Sequence, residues 1–580
     1  MPECQSENES SSLEVESAAP QNTSLKVDLL PRGGEPSDGP GRKGSHYRAR
    51  ASTRGTAVLS FLEDIVDHSM ADSALQFRGD QVDSRRTDSD VSTDGLEYNY
   101  IPIFERPVPC QEMIRGADGE WICICKPRTA RASDLVYDLI IVVCLSYLGA
   151  GFDGELTDAE EMEGAVIGIL GTPVRDYAAL YIPIFYQWRA HTFFLNAWET
   201  TDCVFLLYWA LSMLVMAYIG FATRLCGSDT DRDHCENYSW GVASARGITM
   251  LGYCYVTWFN PKYFKSVAVT NLLTDALITF CWIMVGFQDM GDVCGTDLNA
   301  PGAATCWAPF MAFWWTGIAL DVFRPLISGV LSKFLNVHAS RDTIVPYDIP
   351  LLVERFQLLV IISLGEVVAS AMQTGVGDDD DDPVTADRYV TTGLLVFLIV
   401  MIKVSLFDVG EVPHAIISGR SNAAHALARS SLTGVLWVFL HLPLTFSIAV
   451  LGAIIDSFRS DSHNIFTAVH ALACGVALAC ILGIITVFDL LNSGYKVQHR
   501  RIKKEWRTAF RIVFILLFIA LVSRPTWWVG RRVPFFAWTC AIMALEVIVT
   551  LYSFKPKQEF QRAKAAPPAL SQTSATDQQN

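Results

Sequence analysis

Roughly a dozen apolar stretches, each about 20 residues long, fill the chain between Asp134 and Phe554. A helix of about 20 apolar residues is long enough to cross the ~30 Å hydrocarbon core of a bilayer. The pattern therefore predicts an all-α, polytopic transmembrane helix bundle of about twelve spans. The predicted spans are 133–152, 177–198, 203–222, 241–259, 266–287, 305–329, 351–374, 388–409, 430–455, 465–490, 508–528 and 534–554.

The loops between these spans alternate in charge. Lys126 and Arg128 precede the first span, whereas the loop that holds the run Asp378–Asp382 is acidic. Because basic loops stay in the cytosol, the alternation places both termini there. Arg531 and Arg532, in a very short outer turn, are the exception. The predicted location is the plasma membrane or another membrane of the secretory pathway.

Cysteines and a glycosylation sequon agree with this orientation. Cys226 and Cys235 share the second outer loop, and Cys294 and Cys306 flank the third, so we predict one disulfide in each pair. Asn237 begins an Asn-x-Ser sequon in the same outer loop as the first pair, which predicts a glycoprotein.

The two ends of the chain differ in composition from the bundle. Residues 1–130 are predicted to be a largely disordered cytosolic tail, which carries a short amphipathic helix near 57–69. Residues 131–556 form the predicted bundle, and 557–580 a second disordered cytosolic tail. The N-terminal tail is a candidate for binding a protein partner or the membrane surface, although packing of its helix on the same protein is the simpler reading.

Composition and motifs exclude several function classes. The net charge of −16 argues against a nucleic-acid partner. The chain has no His-Glu-x-x-His, no Gly-x-Ser-x-Gly and no phosphate-binding Gly-Lys-Ser/Thr, so we predict no enzyme and no cofactor. Cys123 and Cys125 are separated by one residue, unlike the two-residue gap of zinc ribbons, and predict no metal site.

The seventh span carries the clearest polar stripe. Arg355 and Glu366 are eleven residues apart and point within about 20° of each other on a helix, with Ser363 and Ser370 on the same face. Charged side chains at membrane depth face the bundle interior or a water-filled cavity, so the stripe marks a candidate pathway for an ion, proton or solute. The alternative is a hydrogen-bond network that only locks the bundle.

Further candidates lie in three other spans. The first span has Asp134 and Asp138 near its cytosolic end, and the ninth has His441 near its middle. In the sixth, Pro325 removes the helical donor of the Asp321 carbonyl, which predicts a kink. By depth, we predict that Asp138 lies within reach of Arg355 and that Glu366 pairs with His441.

These residues also carry a family resemblance. The stretch Asp134-Leu135-Val136-Tyr137-Asp138-Leu139 resembles the acidic-Leu-aromatic-aromatic-Asp-Leu opening of the bacterial low-temperature-requirement A family. Glu354-Arg355-Phe356 with Leu364-Gly365-Glu366 is similar to its Glu-Arg-Phe-Gly and Leu-Gly-Glu signature, and His441-Leu442-Pro443-Leu444 to its late His-Leu-Pro helix. Two positions depart from the pattern: Gln357 replaces a Gly, and Leu351 replaces a His. The long tail and outer loops resemble those of fungal members.

Two functions remain open at this level. The first is a proton- or ion-coupled transporter or channel that uses the buried charges of the first, seventh and ninth spans. The candidate pathway residues are Asp134, Asp138, Glu354, Arg355, Glu366 and His441. The alternative is a membrane sensor or scaffold that transports nothing and whose buried charges hold the bundle together.

Overall fold

The computed structural model describes most of residues 132–552 and short stretches before them. The described residues are 104, 106–109, 111–115, 121–125, 132–161, 166–199, 202–226, 235–287, 303–335, 347–373, 386–408, 426–429, 431–460, 466–491 and 504–552. The predicted helix near 57–69, most of the N-terminal tail and the 557–580 tail lie outside them.

Each of the twelve predicted spans coincides with a helix in the structure. The helices are α1 Ala132–Glu161, α2 Val166–Ala197, α3 Cys203–Cys226, α4 Cys235–Phe259, α5 Leu273–Gly286, α6 in two parts, Ala303–Val322 and Arg324–Phe334, α7 Ile349–Gln373, α8 Ala386–Lys403, α9 Ser431–Ser460, α10 Ala468–Leu491, α11 Lys504–Val522 and α12 Arg532–Tyr552. Short irregular turns extend two of them: a π-helical turn, Ala268–Leu272, leads into α5, and another, Val404–Asp408, continues α8. The all-α prediction is confirmed.

The described helices agree with a protein that crosses a membrane several times. Six of them are long and apolar enough to cross a bilayer, and the two parts of α6 would make a seventh span. Large apolar side chains such as Leu214, Leu251 and Trp258 are exposed on the outside of the bundle, where lipid would cover them. The protein is thus a multi-pass integral membrane protein.

The sixth span is broken where the proline predicts a kink. Its two parts meet at Phe323 and differ in direction by 72°. Pro325 has no N–H group to donate to the Asp321 carbonyl, so the helical hydrogen-bond ladder is interrupted there. The second part leaves the direction of the first, so the predicted kink is confirmed.

Four short strands flank the bundle, and the sequence analysis did not predict them. β1, Val108–Pro109, pairs antiparallel with β4, Trp198–Glu199. β2, Gln111–Arg115, pairs with β3, Trp121–Cys125, in a hairpin. The hairpin lies within residues 1–130, which the sequence analysis predicts to be largely disordered.

Three helices at the centre of the bundle share one direction. α1 packs on both α7 and α9, and α7 packs on α9. Asp138 of α1 contacts Arg355 of α7. Ser146, eight residues after Asp138 on α1, contacts Glu366, eleven residues after Arg355 on α7. The three helices therefore run in parallel, with their C-terminal ends at the same end of the bundle.

Candidate polar sites of the bundle

The predicted pairing of α1 with α7 is confirmed. Arg355 Nη2 lies 2.9 Å from Asp138 Oδ1, and Arg355 Nη1 lies 3.5 Å from Asp134 Oδ2. The indole N–H of Trp188, from α2, donates to the same Asp138 oxygen at 2.7 Å. The Asp138 side chain is fully buried and that of Arg355 is 3% exposed, so the pair holds α1, α2 and α7 together away from solvent.

This ion pair retains hydrogen-bonding capacity that its described neighbours do not use. Asp138 Oδ2 and Arg355 Nε are buried and have no hydrogen-bond partner among the described atoms. The Tyr137 hydroxyl is also buried and has no hydrogen-bond partner among the described atoms. The Tyr137 ring stacks on the His191 ring, with their centroids 4.0 Å apart. Buried polar atoms of this kind are usually satisfied by internal water, so the centre between α1 and α2 has the chemistry of a hydrated site.

His441 does not pair with Glu366, and that prediction is wrong. His441 Nδ1 lies 2.9 Å from the carbonyl oxygen of Trp437, and its ring packs 4.7 Å from Phe356. His441 of α9 is therefore level with Phe356, ten residues before Glu366 on α7. At ~1.5 Å per residue, Glu366 lies about 15 Å further along, beside a later turn of α9.

Glu366 lies in a cavity between α1, α7 and α9. Ser146 Oγ donates a hydrogen bond to Glu366 Oε1. The cavity offers about 30 Å³ to the centres of water-sized molecules. Its lining is Leu145, Ser146, Gly149, Ser363, Glu366, Val367, Ser370, Ala449, Gly452, Ala453 and Asp456. Two carboxylates, three serines and otherwise small or aliphatic side chains thus surround one space.

Asp456 is the cavity residue that the sequence analysis missed. It lies near the end of α9 and is partly buried, on the opposite side of the space from α1 and α7. An acidic residue at the end of an apolar helix is also typical of the membrane interface, so its position in the sequence does not indicate a cavity. Only the packing of α9 against α7 brings it to Glu366.

Two other predicted residues lie near the ion pair between Arg355 and Asp138. Asp134 is 8% exposed and is the second carboxylate near Arg355. Glu354 is exposed, pointing away from the Arg355 side of α7. Leu351, which stands where the family pattern has a His, is buried.

A second group of buried charges joins α4, α5 and α6. Arg246 Nη2 lies 2.7 Å from both oxygens of Asp321. Arg324 places its two terminal nitrogens 2.8 Å from the two oxygens of Asp275. Arg246 also lies 3.6 Å from Asp275, which links the two pairs into one network. The network holds the bend in α6 against α4 and α5.

A third group joins α10, α11 and α12. Arg511 Nε lies 2.8 Å from Glu546 Oε1, and the Arg511 Nη1 contacts Asp489. Arg507 Nη2 is 3.0 Å from the same aspartate. Thr550 donates to Glu546 at 2.9 Å. The sequence carried a signal for this group, because Glu546 interrupts an otherwise apolar helix.

The outer-loop predictions are tested in part. Cys226 and Cys235 form a disulfide, as predicted. Cys294 and the side chain of Cys306 lie outside the described residues, so their pairing stays a prediction. Asn237 follows the disulfide by two residues, and its side-chain oxygen accepts a hydrogen bond from Tyr218 at 3.2 Å. Within the described part of the chain, no three His, Cys, Asp or Glu side chains come together as metal ligands.

Comparison with known proteins gives a family and no close relative. No curated protein and no solved structure matches the chain. The family model described as "Bacterial low temperature requirement A protein (LtrA)" matches residues 130–549, which include α1, α7 and α9 with their motifs. The match spans most of the chain and nearly all of the bundle, and the chain therefore belongs to the LtrA family.

Proposed function

We propose that the protein moves protons or small monovalent cations across its membrane, with Glu366 as the residue that takes up the transported charge. The observation that carries the proposal is the cavity in which Glu366 and Asp456 line one space with three serines. Carboxylate and hydroxyl oxygens are ligands for hard cations, and a carboxylate can also carry a proton.

The surroundings of Glu366 suit reversible charging better than permanent pairing. Ser146 donates one hydrogen bond to it, and the nearest carboxylate across the cavity is that of Asp456, which repels a second negative charge. Among the described residues that line the cavity there is no Lys or Arg. A cation or proton that enters would relieve the repulsion between the two acids, which favours uptake.

The ion pair between Arg355 and Asp138 would close the other end of this path. It lies eleven residues from Glu366 along α7, or about 16 Å at ~1.5 Å per residue. Between the two levels, the fully buried Phe356 packs against Trp188, Trp437 and His441 at 5.0, 5.3 and 4.7 Å. In the proposed mechanism these aromatic rings would separate the cavity from the ion pair.

The test is cation movement in proteoliposomes. Wild-type protein is reconstituted with an imposed gradient of H⁺, Na⁺ or K⁺, and the flux is followed with an internal pH dye or by tracer uptake. We expect Glu366→Gln to fold and to lose about tenfold or more of the flux. The matched control is Glu505→Gln, which neutralises an exposed glutamate at the start of α11 and should leave the flux unchanged. Equal flux for Glu366→Gln and wild type would overturn the assignment.

A scaffold or sensor without transport is the second candidate. The two charge networks at α4–α6 and α10–α12 favour it, because their charges are paired within the bundle. This function predicts no flux above that of empty liposomes for any of the three cations. It also predicts that Glu366→Gln changes stability or abundance and nothing else.

We also propose that both termini face the cytosol and that Asn237 carries a glycan. The disulfide between Cys226 and Cys235 supports this orientation, since disulfides persist on the oxidising side of a membrane. Mass spectrometry of protein from eukaryotic cells should find the glycan on Asn237 and none on Asn8 or Asn22. A glycan on Asn22 would reverse the orientation.

A further inference from the structure

The helix contacts of the first six helices recur in the second six. In the first half, α1 packs on α2 and α3, α3 on α4, α4 on α5, α5 on α6, and α2 on α6. In the second half, α7 packs on α8 and α9, α9 on α10, α10 on α11, α11 on α12, and α8 on α12. Adding six to each helix number converts one set of six contacts into the other.

The buried charge networks obey the same relation. One joins α4, α5 and α6, and the other joins the corresponding α10, α11 and α12. In the first, Asp275 on the middle helix contacts arginines on both neighbours. In the second, Arg511 on the middle helix contacts acids on both neighbours. In both networks the bridging charge belongs to the middle helix, although its sign is reversed.

A glycine permits the close approach of corresponding helix pairs. A Cβ atom at Gly220 of α3 would lie 3.2 Å from the Cα of Cys144 on α1. A Cβ atom at Gly452 of α9 would lie 3.3 Å from Val367 Cγ2 on α7. The crossing of α1 with α3 and that of α7 with α9 are therefore both tight contacts that a larger residue would disturb.

We infer that α1–α6 and α7–α12 are two repeats of one six-helix unit, and that the Glu366 cavity lies at a movable seam between them. An even number of crossings returns the chain to its starting side, so the repeats have the same orientation, as in transporters whose halves are related by an axis along the membrane normal. The movement of the seam rests on the proposed transport function. The repeat itself does not.

The seam is formed where α1 of the first repeat meets α7 and α9 of the second. At Gly149 of α1, a Cβ atom would lie 3.5 Å from the Ala453 Cβ of α9, and both residues line the cavity. One helix departs from the repeat: α2 also packs on α4 of its own repeat and on α7, α9 and α10 of the second, and α8 does not pack in the same way on the corresponding described helices. The first repeat thus contributes both α1 and α2 to the seam.

A reversible cross-link across the seam tests the inference in the full-length protein. Gly149→Cys with Ala453→Cys places two Cβ atoms about 3.5 Å apart, within the range for a disulfide. The matched control is Gly317→Cys, whose Cβ would lie 3.5 Å from that of the native Cys281, with both residues in the first repeat. A protease site inserted between Ser340 and Arg341 lets the two repeats be separated on a gel after the intact protein has folded.

Oxidation should join the two fragments of the Gly149→Cys/Ala453→Cys protein and lower its cation uptake about tenfold or more, with recovery after reduction. The oxidised Gly317→Cys control should give separate fragments and unchanged uptake. Fragments that never cross-link would overturn the placement of the seam, and cross-linked protein with full uptake would overturn its movement. If the wild type carries no cation at all, the proposed function fails, and the gel still decides whether the repeats meet here.

Discussion

The buried charges of this bundle fall into two kinds that differ in how they are neutralised. In the α4–α6 network, Arg246 and Arg324 face Asp275 and Asp321, and all four side chains are at most 9% exposed. In the cavity, Glu366 and Asp456 are partly buried, and the lining that the structure describes contains neither Lys nor Arg. The first arrangement is neutral as it stands, whereas the second has room for a positive charge.

The difference separates charges that stabilise the bundle from charges that could take part in transport. A buried pair that loses one member leaves the other without compensation, which makes such pairs intolerant of change. A carboxylate beside a wet cavity keeps solvent as an alternative partner, so its neutralisation costs little. Stability and transport should therefore respond to different residues of this chain.

The largest effect is expected for Arg246→Ala. It removes the only arginine that contacts Asp321 in the described contacts and leaves that carboxylate buried, at a cost of ~3–5 kcal/mol in the free energy of unfolding. Thermal unfolding of purified protein in detergent measures it. The control is Arg175→Ala, whose exposed pair with Asp176 should contribute at most ~1 kcal/mol. Equal stability of the two variants would remove the distinction drawn between paired networks and exposed ion pairs.

A smaller loss is expected for Glu546→Ala in the second network. Arg511 keeps its contact with Asp489, so no charge is left alone. The variant loses the hydrogen bonds that Glu546 accepts from Arg511, Ser405 and Thr550. Because no buried charge is left without a partner, the loss should stay below the ~3–5 kcal/mol expected when a buried charge is stranded. The same unfolding measurement should place this variant between Arg246→Ala and wild type. A loss larger than that of Arg246→Ala would show that Asp489 does not compensate Arg511.

The smallest effect on stability is expected in the cavity. Glu366→Gln keeps an oxygen for the Ser146 hydroxyl, and Asp456→Asn keeps the size of the side chain while it removes the repulsion between the two acids. Each change should stay within about 0.5 kcal/mol of wild type in unfolding, the range of ordinary surface substitutions. Each should nevertheless reduce cation flux in proteoliposomes. Variants that unfold like Arg246→Ala would place the cavity acids among the structural charges.

The sequence predicts depth along each helix better than contacts between helices. The Arg355–Asp138 pair was predictable, because both residues lie near the ends of helices that the loop charges place on one side. The pairing of Glu366 with His441 failed, because the axial offset between α7 and α9 is set by packing and brings Asp456 to that level instead. Arg246 and Asp275 were missed for the same reason: each is visible as a charge in an apolar helix, but its partners belong to other helices.

The shared direction of α1, α7 and α9 has an electrostatic consequence for the cavity. Its lining residues on α7 and α9, from Ser363 to Ser370 and from Ala449 to Asp456, lie in the C-terminal parts of their helices. Each helix carries about half a negative elementary charge at its C-terminal end, where the last carbonyl groups have no helical donor. Ser370 lies in the last turn of α7, within reach of that partial charge. The backbone thus adds a negative potential at the cavity beyond that of the two carboxylates, and an anion would be repelled there by the fold itself.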